Sequence, residues 1–259
     1  MTFSHFRLLA KPEETVSGDM IYEMLCLLAE HTGKEVYFVS DVMKRRYAGD
    51  RAKGALLGKT FRDFFSNDND MDFCITDFFP TRSLDISVDL LNETPAFSNA
   101  LVTDIAELCS RFLTVQQAYS QNNDYHAWQQ ANQPERFERS NRPKPDLPII
   151  DTTSNPKYPR IIYDISHNPG HFKFKPGFIE IPTADLWASD TWMKELGVDM
   201  EALSELYVSA PADVAPGIRH YKFFAHPFDS DQGEQRDIQI KLRRILFHTE
   251  LGDREGLNF

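Results

Sequence analysis

The chain has 259 residues, a formal net charge of -11, 41% hydrophobic residues, 20 phenylalanines and three cysteines. That apolar share excludes a mainly disordered chain, and the negative field disfavours nucleic acid and anionic membrane surfaces as partners. Cys26, Cys74 and Cys109 are too few and too scattered for a disulfide framework; no run reaches the roughly 18 apolar residues of a membrane span; and Met1 to Lys11 lacks a signal-peptide core, so a reducing cytoplasm is the expected location.

Phe3 to Leu9 reads as a first strand, closed by Pro12. Ser17 can cap a helix running to about His31, with Gly33 just beyond it and Met20, Met24, Leu27 and Leu28 at helical spacing. Val36 to Val39 is the next expected strand, and Thr60 to Phe65 a short helix. Phe73 to Phe79 and Leu84 to Leu90 read as a strand pair. In the second, Leu84, Ile86, Val88 and Leu90 alternate with Asp85, Ser87 and Asp89, which predicts one buried and one wet face. Asn99 to Leu113 reads as a helix with Leu101, Ile105, Leu108 and Phe112 inward.

Residues 121 to 160 are polar and hold six prolines, so they read as an irregular excursion. Strands are expected again at Arg160 to Ile165, Gly177 to Ile181 and Ile218 to Phe224. Helices are expected at Thr183 to Leu196, around Trp187 and Trp192, and at Ile238 to Phe247. Strands and helices mix without strict alternation. The expected class is therefore α+β, a mixed or antiparallel sheet with helices packed on it, forming a single domain over 1–259.

Chemical motifs are sparse. Gly54-Ala55-Leu56-Leu57-Gly58-Lys59-Thr60 resembles a phosphate loop but has three residues between its glycines where that loop needs four. Asp68, Asp70 and Asp72 alternate as in a calcium loop, yet Phe73 and Phe79 stand where its glycine and glutamate belong. Asp164-Ile165-Ser166-His167-Asn168-Pro169-Gly170-His171 is the most suggestive polar stretch. Asp164, His167 and His171 could serve a metal-dependent hydrolase, with His220 or His226 adding a nitrogen; Pro169 and Gly170 between the two histidines speak for a structural turn instead. No serine lies in a nucleophile elbow and no cysteine has a catalytic context. No cofactor, no resident metal and no catalytic residue are expected, and Trp187 and Trp192 read as core.

Charge is more informative. From Asp63 to Ser110 there are ten acidic residues and only Arg82 as a base, and Gly177 to Gly217 holds eight acids and only Lys194. Such runs form a solvated face or a surface that meets a basic partner. The candidate partner-binding residues are Asp68, Asp70, Asp72, Asp77, Asp85 and Asp89, with Asp85 and Asp89 exposed together.

The stretch Ile161 to Leu196, IIYDISHNPGHFKFKPGFIEIPTADLWASDTWMKEL, resembles a segment of the immunity proteins encoded beside toxins in bacterial polymorphic-toxin and type VI secretion loci, of the immunity protein 52 type. The resemblance implies an α+β fold without catalysis that binds one cognate toxin, often a nuclease. It transfers no binding residue by position. A nuclease needs a basic surface for phosphate backbones, and an acidic protein can occupy it. The alternatives are the metal-dependent hydrolase and an accessory scaffold of a secretion or phage system.

Overall fold

A computed structural model describes residues 4–11, 16–40, 45–67, 71–78, 81–90, 97–140, 142–144, 146–151 and 161–254. The chain opens with β1 (Ser4–Ala10) and the short β2 (Val16–Ser17). The Ser17 hydroxyl accepts the Asp19 N–H at 3.1 Å and starts α1 (Gly18–Thr32); Gly33 stops it at φ 68°, a left-handed backbone that glycine adopts without strain. There follow β3 (Tyr37–Ser40), β4 (Arg45–Ala48), α2 (Gly49–Leu56), β5 (Thr60–Phe61), β6 (Phe64–Asn67), β7 (Met71–Phe78) and β8 (Ser83–Leu90). Ser98 caps α3 (Asn99–Ser110) through the Leu101 N–H. Next come β9 (Val115–Asn122), α4 (Asn123–Gln129), α5 (Pro134–Ser140), β10 (Ile149–Asp151), β11 (Ile161–Tyr163), β12 (Lys173–Lys175), β13 (Phe178–Glu180) and β14 (Asp185–Ser189). The chain then forms α6 (Asp190–Glu195), α7 (Met200–Ser204), β15 (Ser209–Ala215), β16 (Ile218–Lys222) and α8 (Gly233–Phe247).

Ten strands form one antiparallel sheet in the order β15-β16-β14-β9-β1-β8-β7-β6-β3-β4, so strands from both ends of the chain pair in one ladder. This is the expected α+β class, with the antiparallel alternative realised. One face buries Phe6, Leu8, Phe73, Ile86 and Val88 under Met20 and Met24 of α1 and Ile105 of α3. Leu186, Ala188 and Tyr221 pack on the other face with Trp192 of α6 and Leu242 and Leu246 of α8. A third cluster, Leu9 and Tyr119 with Ile179 and Ile181, seats the β12–β13 hairpin over the centre of that second face.

Four local expectations change. Thr60 to Phe65 forms strand segments, because Phe64 turns into the core while Phe65 points away, a period of two. Thr183 to Leu196 is a strand and then a short helix that begins where the Ser189 hydroxyl accepts the Trp192 N–H. Phe112 lies past the end of α3 and is exposed. The 121–160 stretch contains α4, α5 and β10, and buries Trp128, Phe137 and Leu147; residues 152–160 are outside the described set. No helix among the described residues is long and apolar enough to cross a membrane.

Candidate functional site

The second face of β6 and β7 lies beyond the reach of the C-terminal helices. Phe65 stands 45% exposed there, beside Asn67, Asp72, Cys74 and Thr76, which are exposed or half-buried. Asp63 joins this face at its end, where its carboxylate accepts the Thr76 hydroxyl at 3.1 Å. Asp72 takes a hydrogen bond from the Asn67 amide and is paired in register with Asp89 of β8. Asp89 is half-buried and accepts from Asn123 at 2.9 Å, with His5 Nδ1 at 2.8 Å. Asp77 is exposed at the end of β7, and Asp68 and Asp70 lie outside the described residues.

Asp85 corrects the expectation of joint exposure. It is 2% exposed and held bidentately by Arg7, with Nε to Oδ1 at 3.1 Å and Nη2 to Oδ2 at 3.0 Å. Arg7 and Tyr119 share this face on the neighbouring strands β1 and β9, and Tyr119 also hydrogen-bonds Arg7. Burial outweighs the Arg7 guanidinium and pushes the Asp85 carboxyl above its usual range, while burial pushes the Tyr119 phenol up to about 12. A polar position opposite a core face reads as wet in the sequence, yet here a cation on the next strand takes the place of water.

The polar stretch from Asp164 to His171 is a turn locked into the fold. Asp164 caps a single 3-10 turn, Ile165–His167; burial raises its pKa, but bonds from Ser166 and from Arg254 Nε at 2.7 Å outweigh that and hold the carboxyl below its usual range. Asn168 donates to Gln129 O, the Gly170 N–H donates to Gln129 Oε1, and Arg243 Nε donates to Pro169 O at 2.9 Å. His171 is fully buried with Nδ1 against Asn168 O, and burial drives its imidazole well below the ordinary range. His167 instead opens onto a cleft of roughly 600 Å³ shared with Trp128, Lys144, Asp231 and Arg236. His220 bonds Asp185 at 2.7 Å and stacks on Trp187, and His226 Nδ1 lies on Pro227 O. His167 Nε2 stands 3.8 Å from Asp164 Oδ2, but His171, His220 and His226 bond other partners, and among the described residues no group of three His, Cys, Asp or Glu side chains could hold a metal ion.

The phosphate-loop look-alike has inverted polarity. Gly54 lies inside α2, and Lys59 donates to Gly54 O and Ala55 O at its C-terminal end. A helix C-terminus offers carbonyls, so this segment lacks the amides with which a true loop cradles phosphate. Burial pushes the Cys74 thiol up to about 11 and the Cys109 thiol up to about 12, which leaves neither as a thiolate nucleophile near neutral pH. Trp187 and Trp192 are core, as expected.

The chain matches no family model, and no curated protein matches it. Its fold is similar to that of the Pseudomonas aeruginosa T6SS protein PA0821. That likeness has a TM-score of 0.53 at 10% identity and covers 96% of this chain and 74% of the other. At that identity it carries the fold alone. Within this fold, the acidic open face brings exposed carboxylates and an exposed aromatic ring together. Phe65 escaped the sequence reading; the period of two through Phe64, Phe65 and Ser66 was the signal that could have found it.

Proposed function

We propose that this protein is a binding protein of the immunity type, linked to type VI secretion, that neutralises a cognate toxin by laying the open face of β6 and β7 on the toxin's basic surface. The observation that carries this reading is the pairing of an exposed aromatic, Phe65, with Asp63, Asp72 and Asp89 on one uncovered sheet face. Aromatic side chains supply contact area at the centre of interfaces, and surrounding charge steers encounter and selects the partner. A nuclease is the toxin class that fits, because it must carry a cationic surface for phosphate backbones. The fold likeness to a T6SS protein supports the secretion link, and the resemblance of Ile161 to Leu196 supports the immunity role. The protein acts without catalysis and without a cofactor in this reading, in the cytoplasm where such a toxin would be met.

The experiment is co-purification with the product of the neighbouring toxin-like gene, followed by association kinetics across a salt series. Asp63→Asn combined with Asp72→Asn should slow association several-fold and flatten its salt dependence, since rim charges act mainly on the association rate. Phe65→Ala should speed dissociation, at a cost on the order of 1–2 kcal/mol. Unchanged rates in folded variants would remove this face from the interface.

A further inference from the structure

Within this acidic chain, the end of the sheet at β4 is basic. Strands β3 and β4 with helix α2 close the sheet on the side away from β15, and there Arg45, Arg46, Arg51, Lys53 and Lys59 are all exposed, against Glu35, Asp50 and Asp19, whose carboxylate accepts the Gly58 N–H at 3.2 Å. Arg51 and Lys59 line a shallow depression of roughly 500 Å³ together with Phe38, Ser40, Tyr47 and Ala55, while Arg46 turns to the other strand face and stacks over the Tyr37 ring at 4.2 Å. Its floor is aromatic, with the Phe38 and Tyr47 rings stacked at 4.9 Å and 11°. Arg51 and Ala55 stand one turn apart on α2 and face the depression together, with Lys59 just beyond the helix. Arg45 lies on β4, two residues from Tyr47 and so on the same sheet face.

We propose that this depression is a second docking site, which takes a short acidic segment of a partner protein with an apolar side chain next to its carboxylates. The apolar side chain would sit on Tyr47 and Ala55, and the carboxylates would meet Arg51 and Arg45, with Lys59, whose ammonium donates to Gly54 O and Ala55 O, adding positive charge at the rim. Arginine's planar fork matches a carboxylate, and a ring floor adds apolar contact. Charge decides between a peptide and a nucleic acid. At physiological salt a field reaches only about 8 Å, so a short anion feels the basic end alone. A long polyanion would run off the patch into the field of a chain whose net charge is -11. The site is independent of the open face of β6 and β7 and stands whether or not a toxin docks there.

The test uses the full chain and a fluorescein-labelled Glu-rich peptide bearing a single Phe, read by fluorescence anisotropy. Arg51→Glu with Arg45→Glu should weaken binding at least about tenfold, and removing the peptide's Phe should weaken it several-fold. Lys53→Glu changes charge on α2 outside the depression and should cost less than about threefold. Arg51→Gln keeps the test interpretable if the reversal variant loses its fold. The site is overturned if the wild type does not bind the peptide, if Lys53→Glu costs as much as Arg51→Glu, or if a Lys-rich peptide binds equally well. It is also overturned if a single-stranded oligonucleotide binds the depression more tightly than the peptide, which would make the ligand a nucleic acid.

Discussion

A carboxylate removed from water needs a cation and hydrogen bonds in exchange, and Asp85 has both from Arg7. Truncating one member of such a pair leaves the other charge buried and unmatched. Asp85→Ala should therefore destabilise the protein by about 3 kcal/mol, because Arg7 stays beneath the surface of the second face. Chemical denaturation of the variant checks this, and a loss below about 1 kcal/mol would mean that water reaches Arg7. Asp63 and Asp72 sit at exposed or half-buried positions, so their neutralisation should change stability by no more than about 0.5 kcal/mol. This difference separates a structural aspartate from one available to a partner, although both lie in the same acidic run.

Among the elements, α1 and α2 meet at a point where only glycine fits. A Cβ on Gly18 would stand 2.1 Å from Leu56 O and 2.9 Å from the Phe61 ring. Alanine normally favours a helix over glycine by about 1 kcal/mol. Gly18→Ala should reverse that sign and cost about 2 kcal/mol or more, since the obstacle is backbone of α2 and cannot swing aside. A thermal melt that shows stabilisation would contradict the close approach of the two helices. Strand β9 shows how an element can hide. Its sequence, VQQAYSQN, has no alternation, yet it lies near the middle of the sheet with both faces covered. Gln117 is accommodated because its amide donates to Ile179 O at 3.0 Å and accepts the Ile179 N–H at 3.1 Å, a tertiary pairing across 62 residues.

For the whole molecule, the sheet's edges and faces decide where a partner can dock. Edge strand β15 contains Pro211 and two register shifts, and edge strand β4 is four residues long with two exposed arginines. Both devices discourage strand addition, which leaves a face as the route for a protein partner. The sheet also joins the halves of the chain. Strands β14 and β16 extend the ladder from β9, and Trp187 of β14 is buried in the cluster under α1 and α3, its indole N–H donating to Thr103 of α3 at 2.9 Å. Limited proteolysis between 152 and 160 should therefore leave two fragments that stay together on native size exclusion. Two separable, independently folded fragments would show that each half has its own core.

The features governed by local chemistry can be read directly from the chain. Ser17 and Gly33 bracket α1, the period-two run of β8 marks out the apolar face that is buried, and scattered polar motifs fail the spacing rules of phosphate and calcium loops. The turn at Pro169-Gly170 was likewise readable, since that dipeptide keeps His167 and His171 off one helical face. Which acids meet water depends on long-range packing. Asp85 and Asp89 occupy equivalent positions four residues apart on one face of β8, and nothing local distinguishes them; Arg7, brought from 78 residues away, buries one, while the other remains half-buried beside His5. The same holds for the open face and the basic depression. Both arise where a layer of helices ends on a sheet, and that boundary follows from long-range pairing, which periodicity does not encode.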